Sequence, residues 1–218
     1  MKRGFVGGNS DLGGGDRVRP EFRPAQQVRQ DLLDVFPRLA DVKWRIKSPF
    51  DRTYKCIAWA ACRTDHIWWP HEYDPIPDGV YWPPGIPRNR KVETFIQAFE
   101  HLGYRPCGKD SSFEFGYQKV AIYAWNLHFT THMARQHFLG KGWLSKPGIC
   151  EDIVHETLES IASDPPYKDS DYGEVFQILK RSWWKALVNL CLFRCFWYAL
   201  RFEIYRLTNR CRKIMRIA

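Results

Sequence analysis

Two side chains far apart in this sequence could together perform nucleophilic acyl transfer. Cys56, in Tyr54-Lys55-Cys56-Ile57-Ala58-Trp59-Ala60-Ala61, opens an alanine-rich segment with strong helical propensity. A thiol in the first turn of a helix feels the positive end of the peptide dipoles, which favours thiolate, and the N–H groups there can hold a developing oxyanion. His132, in Thr130-Thr131-His132-Met133-Ala134, opens a strand-like run and supplies an imidazole as base and then acid. A third polar group would orient that ring. If Gly140-Lys141-Gly142 turns a symmetric hairpin, His132 faces a position near Cys150, so Asp152 and Glu151 are the nearest carboxylates. Asp152 is the choice; Gln136 and Ser145 are weaker options.

Each of these residues has a plainer reading. A cysteine on an alanine-rich helix is by default a small buried residue. Asp152 could instead cap a helix that follows it. Trp68, Trp69 and Trp82, with Tyr81, could line a substrate cleft, whereas Trp-Pro clusters more often cover a core. Arg135 and Lys146 could bind a substrate carboxylate but read first as solvated strand-edge charges. His137 and His155 read as surface histidines. Cys56-x5-Cys62-x3-His66-x4-His71 has zinc-binding residue types without a familiar ligand spacing, so no metal is expected.

The elements that must position the pair follow from periodicity. Gln26 to Phe36 suits a short helix stopped by Pro37, and Val42 to Ile46 a short strand. The Cys56 helix runs from Tyr54 to about Arg63. The stretch from Ile67 to Arg90 is rich in proline and aromatic residues and predicts an irregular, ordered loop. Val92, Phe95, Ile96, Phe99 and Leu102 fall at helical spacing ahead of Gly103. Lys119 to Ala124 predicts a strand, and Thr131 to Phe138 with Trp143 to Lys146 a hairpin. Ile149 to Ser160 suits a short helix and Tyr172 to Lys180 another.

Length, at 218 residues, suits one domain with extensions, and 16% aromatic content with ten Trp promises a substantial core. The net charge of +9 sits at the ends. Residues 1–30 hold six basic and three acidic residues, and residues 183–218 hold eight basic and one acidic, so the middle is nearly neutral. A basic stripe across the ordered surface, which nucleic-acid binding needs, is not expected. Seven cysteines at irregular spacing, with no apolar stretch in Met1 to Gly15 to serve as a secretory signal, point to a reducing, cytoplasmic setting. Gly-rich residues 1–29 are expected to be flexible. The segment 182–218 alternates Leu187, Phe193, Phe196, Trp197, Leu200 and Leu207 with Arg194, Arg201 and Arg206. It reads first as a packing helix and second as an amphipathic helix at a membrane surface.

Several motifs carry a resemblance. Cys56-Ile57-Ala58-Trp59-Ala60-Ala61, Trp68-Trp69-Pro70, Tyr81-Trp82-Pro83-Pro84-Gly85, Phe95-Ile96-Gln97-Ala98-Phe99 with Leu102-Gly103-Tyr104, Thr131-His132-Met133-Ala134-Arg135-Gln136 and Trp143-Leu144-Ser145-Lys146-Pro147-Gly148 resemble an uncharacterised bacterial domain family over about Phe36 to Arg181. In that pattern Asn precedes the cysteine and Gly stands at the place of Cys62; this chain has Lys55 and Cys62. More distantly, the order of a Cys-headed helix, a His-headed strand and a Trp-x-Ser-Lys-x-Gly strand resembles papain-like cysteine peptidases and amidases.

The expectation is therefore an α+β domain over 30–181, in a papain-like arrangement. A central Cys56 helix would pack on a small antiparallel sheet, with a C-terminal helical extension. It would hydrolyse a peptide or amide bond without a cofactor: Cys56 attacks, His132 transfers the proton, Asp152 orients, and Trp68, Trp69 and Trp82 line the substrate. The alternative is a non-catalytic protein- or glycan-binding module, peripheral to a membrane through residues 183–218.

Overall fold

The computed structural model describes residues 23–182, apart from Tyr73, Leu127 and residues 167–170. Of the segment 1–29 expected to be flexible, residues 1–22 lie outside the described residues and Ala25 onward belongs to a helix; the basic tail from 183 also lies outside them. Within them run α1 (Ala25–Val35), β1 (Trp44–Ile46), α2 (Cys56–Ala60), β2 (Ile67–Trp68), β3 (Val80–Tyr81), α3 (Val92–Glu100), β4 (Arg105–Pro106), β5 (Tyr117–Trp125), β6 (Phe129–Gln136), β7 (Trp143–Ser145), β8 (Ile153–His155) and β9 (Glu174–Ser182). Two 3-10 turns add Pro37–Asp41 and Leu158–Ile161.

Seven strands form one antiparallel sheet in the order β1-β8-β7-β6-β5-β9-β4, and β2 pairs with β3 in a separate, parallel two-residue ladder. Strand alternation divides β5 between two cores. Val120, Ile122 and Ala124 face a first cluster with Ile57, Trp59, Phe95 and Phe99 of α2 and α3. Ala121 and Tyr123 face a second, with Val28 and Leu32 of α1 and Leu158 and Ile161 of the later 3-10 turn. A sheet covered on both sides explains why seven consecutive residues of β5, Gln118 to Ala124, are buried.

The helices form where the apolar spacing lies. In α1, Val28 and Leu32 are one turn apart and buried, and Pro37 follows the end. In α3, Val92, Phe95 and Phe99 line one face and are fully buried, each stabilising by roughly 1.5–3 kcal/mol. The hairpin also forms, with Arg135 opposite Leu144 and Gln136 opposite Trp143. Gly142 closes it at φ +89, where a Cβ would run into the carbonyl oxygen of His155. Gly142→Ala therefore loses at least about 1–2 kcal/mol, read as a lower urea midpoint at unchanged slope.

The papain-like expectation is overturned. The sheet is large and seven-stranded. The Cys56 helix has only five residues and lies on one face of that sheet. Residues Tyr172 to Lys180, expected as helix, are largely β9, which pairs along β5 from Tyr117 with Ser182 to Ala124 with Glu174. Ile178 and Leu179, adjacent in sequence, fill opposite cores, which only a strand between two covered faces allows. The helix expected after Ile149 is β8 followed by a 3-10 turn. The C-terminal helical extension falls outside the described residues.

Candidate functional site

Cys56 opens α2 behind Lys55, which makes no side-chain cap. The thiol is 7% exposed and belongs to the first core. Burial pushes its pKa up; the opposing pulls, from the Met133 backbone and then the Lys55 charge, are smaller. The dipole argument fails because five residues align few peptides, while the core removes the water a thiolate needs.

His132 sits in β6 beside Met133, and alternation sends the two side chains to opposite faces. Met133 joins the first core, with Cys56. The His132 ring goes the other way. It stacks on Tyr172 at 4.0 Å and 6° and meets Tyr123 edge-on at 5.5 Å. It is fully buried, and neither ring nitrogen has a hydrogen-bond partner. Burial, reinforced by His155, holds its pKa well below the ordinary histidine range. The hairpin register, extended by count from Arg135 and Leu144, sets His132 against Pro147 rather than Cys150.

Asp152 lies two strands away. It accepts from the Tyr54 hydroxyl at 2.9 Å, its second oxygen is 3.7 Å from Lys146 Nζ, and its own amide donates to Ser48 Oγ at 3.1 Å. Asp152 and Lys146 are both fully buried, so Lys146 is not a solvated edge charge. Burial raises the Asp152 pKa; the Lys146 charge and the Tyr54 and Ser48 hydrogen bonds oppose it. Asp152 precedes a strand, so it caps no helix. Glu151 pairs with Arg23 at 2.6 Å, and Gln136 donates to the Ser111 carbonyl at 2.8 Å. None of the candidates for orienting His132 reaches its ring.

The aromatic residues cover the first core. Trp68 and Trp82 are 4% and 5% exposed. Trp82 meets Phe95 edge-on at 5.2 Å and donates Nε1–H to the Pro87 carbonyl at 3.0 Å, and Trp69 packs on the same ring at 6.2 Å. Two surface clefts of about 270 and 280 Å³ lie near Ser111 and Leu158, and none of Cys56, His132, Asp152, Trp68, Trp69 or Trp82 lines either. Among the described residues, no three of His, Cys, Asp and Glu converge to hold a metal ion.

Two polar clusters were not anticipated. Ser145 and His155, diagonal neighbours on β7 and β8, join through Oγ and Nε2 at 2.8 Å. His155 Nδ1 lies 2.7 Å from the Thr157 carbonyl, which can only accept, so Nδ1 carries the proton and Ser145 donates to Nε2. The pair has the hydrogen bond of a nucleophile and its base, but both residues are fully buried and burial lowers the His155 pKa to about 4. His155 is thus a core residue rather than a surface one. Cys62, in the left-handed region at φ +61, accepts from Arg135 Nη1 at 2.7 Å with Arg181 Nη2 at 3.9 Å. The two guanidinium groups lie over Trp59 and Tyr104, so Arg135 is also buried. The backbone angle at 62 is one that glycine adopts without strain and a cysteine adopts rarely.

The pattern of a domain family of unknown function, DUF7689, matches residues 45–180, more than half of the sequence. The chain belongs to this family. The DUF7689 segment begins inside β1 and ends inside β9, so it holds the shared sheet and the Cys56, His132 and Asp152 positions, whereas α1 precedes it. No curated protein and no solved structure matches the chain.

Proposed function

We propose that this DUF7689 chain is a non-catalytic binding module, a two-faced sheet that presents a surface to a partner rather than housing a thiol reaction. The observation that carries this reading is the division of Cys56 and His132 between the two cores. A cysteine hydrolase needs the imidazole within hydrogen-bond reach of the sulfur and both open to substrate. Cys56 has a raised pKa, and His132 is a neutral ring wedged against Tyr172.

The partner-facing surface is the hairpin end of the sheet. Of the seven large apolar side chains exposed among the described residues, Phe138 and Leu139 belong to the β6–β7 turn, Phe113 lies against Gly140 of that turn, and Phe115 follows shortly before β5. Clusters of that kind mark interaction sites. Phe and Leu carry no polar handle, which favours an apolar contact over recognition of a glycan. The competing reading, peptide or amide hydrolysis through Cys56 and His132, is separated by an electrophilic chloroacetamide probe applied to the native full chain at pH 7.5. We expect Cys56 to label no faster than a cysteine in the unfolded chain, and His132→Ala to leave labelling no slower. Fast labelling of Cys56 that His132→Ala abolishes would restore the hydrolase.

A further inference from the structure

Beside the β6–β7 turn, on the face of the second core, the clefts of about 270 and 280 Å³ share Ser111, Leu158 and Glu159 and so form one groove. Each is just under the roughly 300 Å³ at which pockets for whole small molecules begin, which suits successive side chains of an extended polypeptide. The floor is apolar: Trp143 and Leu158 line the groove and belong to the second core. Phe113, 43% exposed, also lines it, seated against Gly140 where a Cβ would come within 2.6 Å of its ring.

Both walls are fixed. On one side Gln136 Nε2 donates to the Ser111 carbonyl at 2.8 Å, and the buried Lys119 Nζ donates to that of Ser112 at 2.8 Å. On the other, the Tyr123 hydroxyl donates to the Leu158 carbonyl at 2.8 Å, and Ser160 Oγ to that of Thr157 at 2.7 Å. A groove held in this way has little ordering left to do on binding.

Its charge is one-sided. The first cleft is lined by Glu156 and Glu159 and by no lysine, arginine or histidine. The second adds Glu174 and Asp164; its Arg38 is paired with Asp164, which leaves Lys109 as the remaining cation of the lining. Among the described residues Glu156, Glu159 and Glu174 enter no ion pair, and the Glu156 carboxylate accepts from the Lys43 amide at 3.2 Å. The whole chain carries a net charge of +9, so the molecule at large repels a basic ligand and the attraction is local to this groove.

We propose that the groove docks a polypeptide segment in which arginine alternates with apolar residues. Its guanidinium groups meet Glu156, Glu159 and Glu174, and its apolar side chains lie on Trp143, Leu158 and Phe113. The inference rests on the binding-module reading and names the partner class of the hairpin-end surface. Arginine fits better than lysine because its planar fork matches a carboxylate in two hydrogen bonds and stacks on an aromatic ring such as Phe113. The apolar floor between the carboxylates favours a peptide over a free polyamine, which has nothing to bury there.

The test is selection of a phage-displayed random heptapeptide library on the immobilised full chain at low salt, followed by fluorescence polarisation with the selected peptides. Circular dichroism melts check that each variant folds. The selected peptides are expected to carry arginine beside leucine or phenylalanine. Glu156→Gln with Glu159→Gln should weaken their binding about tenfold, and added salt should weaken it in wild type. Glu72→Gln with Asp78→Asn, exposed carboxylates outside the groove, should leave it unchanged. Selection of peptides without a basic residue, or of none, would overturn the proposal, as would equal affinity for wild type and the Glu156/Glu159 variant. Displacement by spermidine at the peptide's own concentration would assign a free polyamine and overturn it as well. Fast labelling of Cys56 by chloroacetamide would strike the binding-module reading without changing these affinities, so the two proposals fail separately.

Discussion

Lys146→Met is expected to lose about 3–5 kcal/mol of folding stability at neutral pH, the cost of leaving one member of a buried ion pair without its partner. Lys146 and Asp152 are fully buried and 3.7 Å apart, on either side of the β7–β8 pairing that sets Ser145 against Ile153. Methionine keeps the length and packing of the side chain but abandons a carboxylate that burial already holds above its ordinary pKa. The sign of the pH effect follows. A carboxyl whose folded pKa is raised contributes stability that is present in acid and lost as pH rises through the folded value. Removing Lys146 raises that value further, so the deficit should be smaller at pH 5 than at pH 8. Urea unfolding at both pH values measures it. Replacing both partners, as in Lys146→Met with Asp152→Leu, should lose less than Lys146→Met alone, because no charge is then stranded. A single variant that unfolds like the wild type would mean the pair is hydrated and not part of the core.

The second large effect is acid sensitivity from buried histidines. His155 has its pKa lowered to about 4 and His132 is held well below 6.5, in both cases chiefly by burial. A base with a depressed folded pKa stabilises fully above its unfolded value and loses that contribution as pH falls toward the folded one. His155 alone should therefore withdraw about 3 kcal/mol between pH 6.5 and 4, and His132 acts in the same direction. The neighbouring side chains, Tyr172 and Tyr123, have raised pKa values and stay neutral throughout that window. His132→Phe keeps an aromatic ring against Tyr172 and deletes two nitrogens that have no partner. At pH 7 we expect it to be neutral or more stable by about 1 kcal/mol, with a shallower loss toward pH 4.5. A stability–pH curve parallel to the wild type would assign the acid loss to other groups.

Local patterns in the sequence were sufficient for the elements that stabilise themselves through neighbours. Leu32, Leu33 and Phe36, or Val92, Phe95 and Phe99, announce helices because one face is apolar, and Gly140 and Gly142 announce a hairpin because only a turn uses them so. β9 was hidden for the opposite reason. Val175, Ile178 and Leu179 match a helical spacing, and the partner strand β5 lies more than fifty residues earlier in the chain. The site reading failed at the same level. Cys56 and His132 are the residue types a thiol hydrolase needs, but a sheet with two covered faces makes neighbours in β6 point to different cores. Lys146 read as exposed because charge normally marks a surface, and Asp152 read as a partner of His132 or a helix cap; their pairing across β7 and β8 became visible only with the register. His155 would have been legible as a core residue only if β8 had been recognised as a strand pairing beside Ser145.

The account stands on Cys56 and His132 serving opposite faces of one sheet and never meeting. The most direct measurement is the rate of Cys56 carboxamidomethylation in the native full chain as a function of pH, followed on its own peptide by mass spectrometry. A buried thiol with no imidazole beside it gives a single limb that rises only above the ordinary thiol range, with His132→Phe superimposed on the wild type. A reactive plateau with a half-point below about pH 7, lost in His132→Phe, would signal a thiolate–imidazolium pair and contradict it.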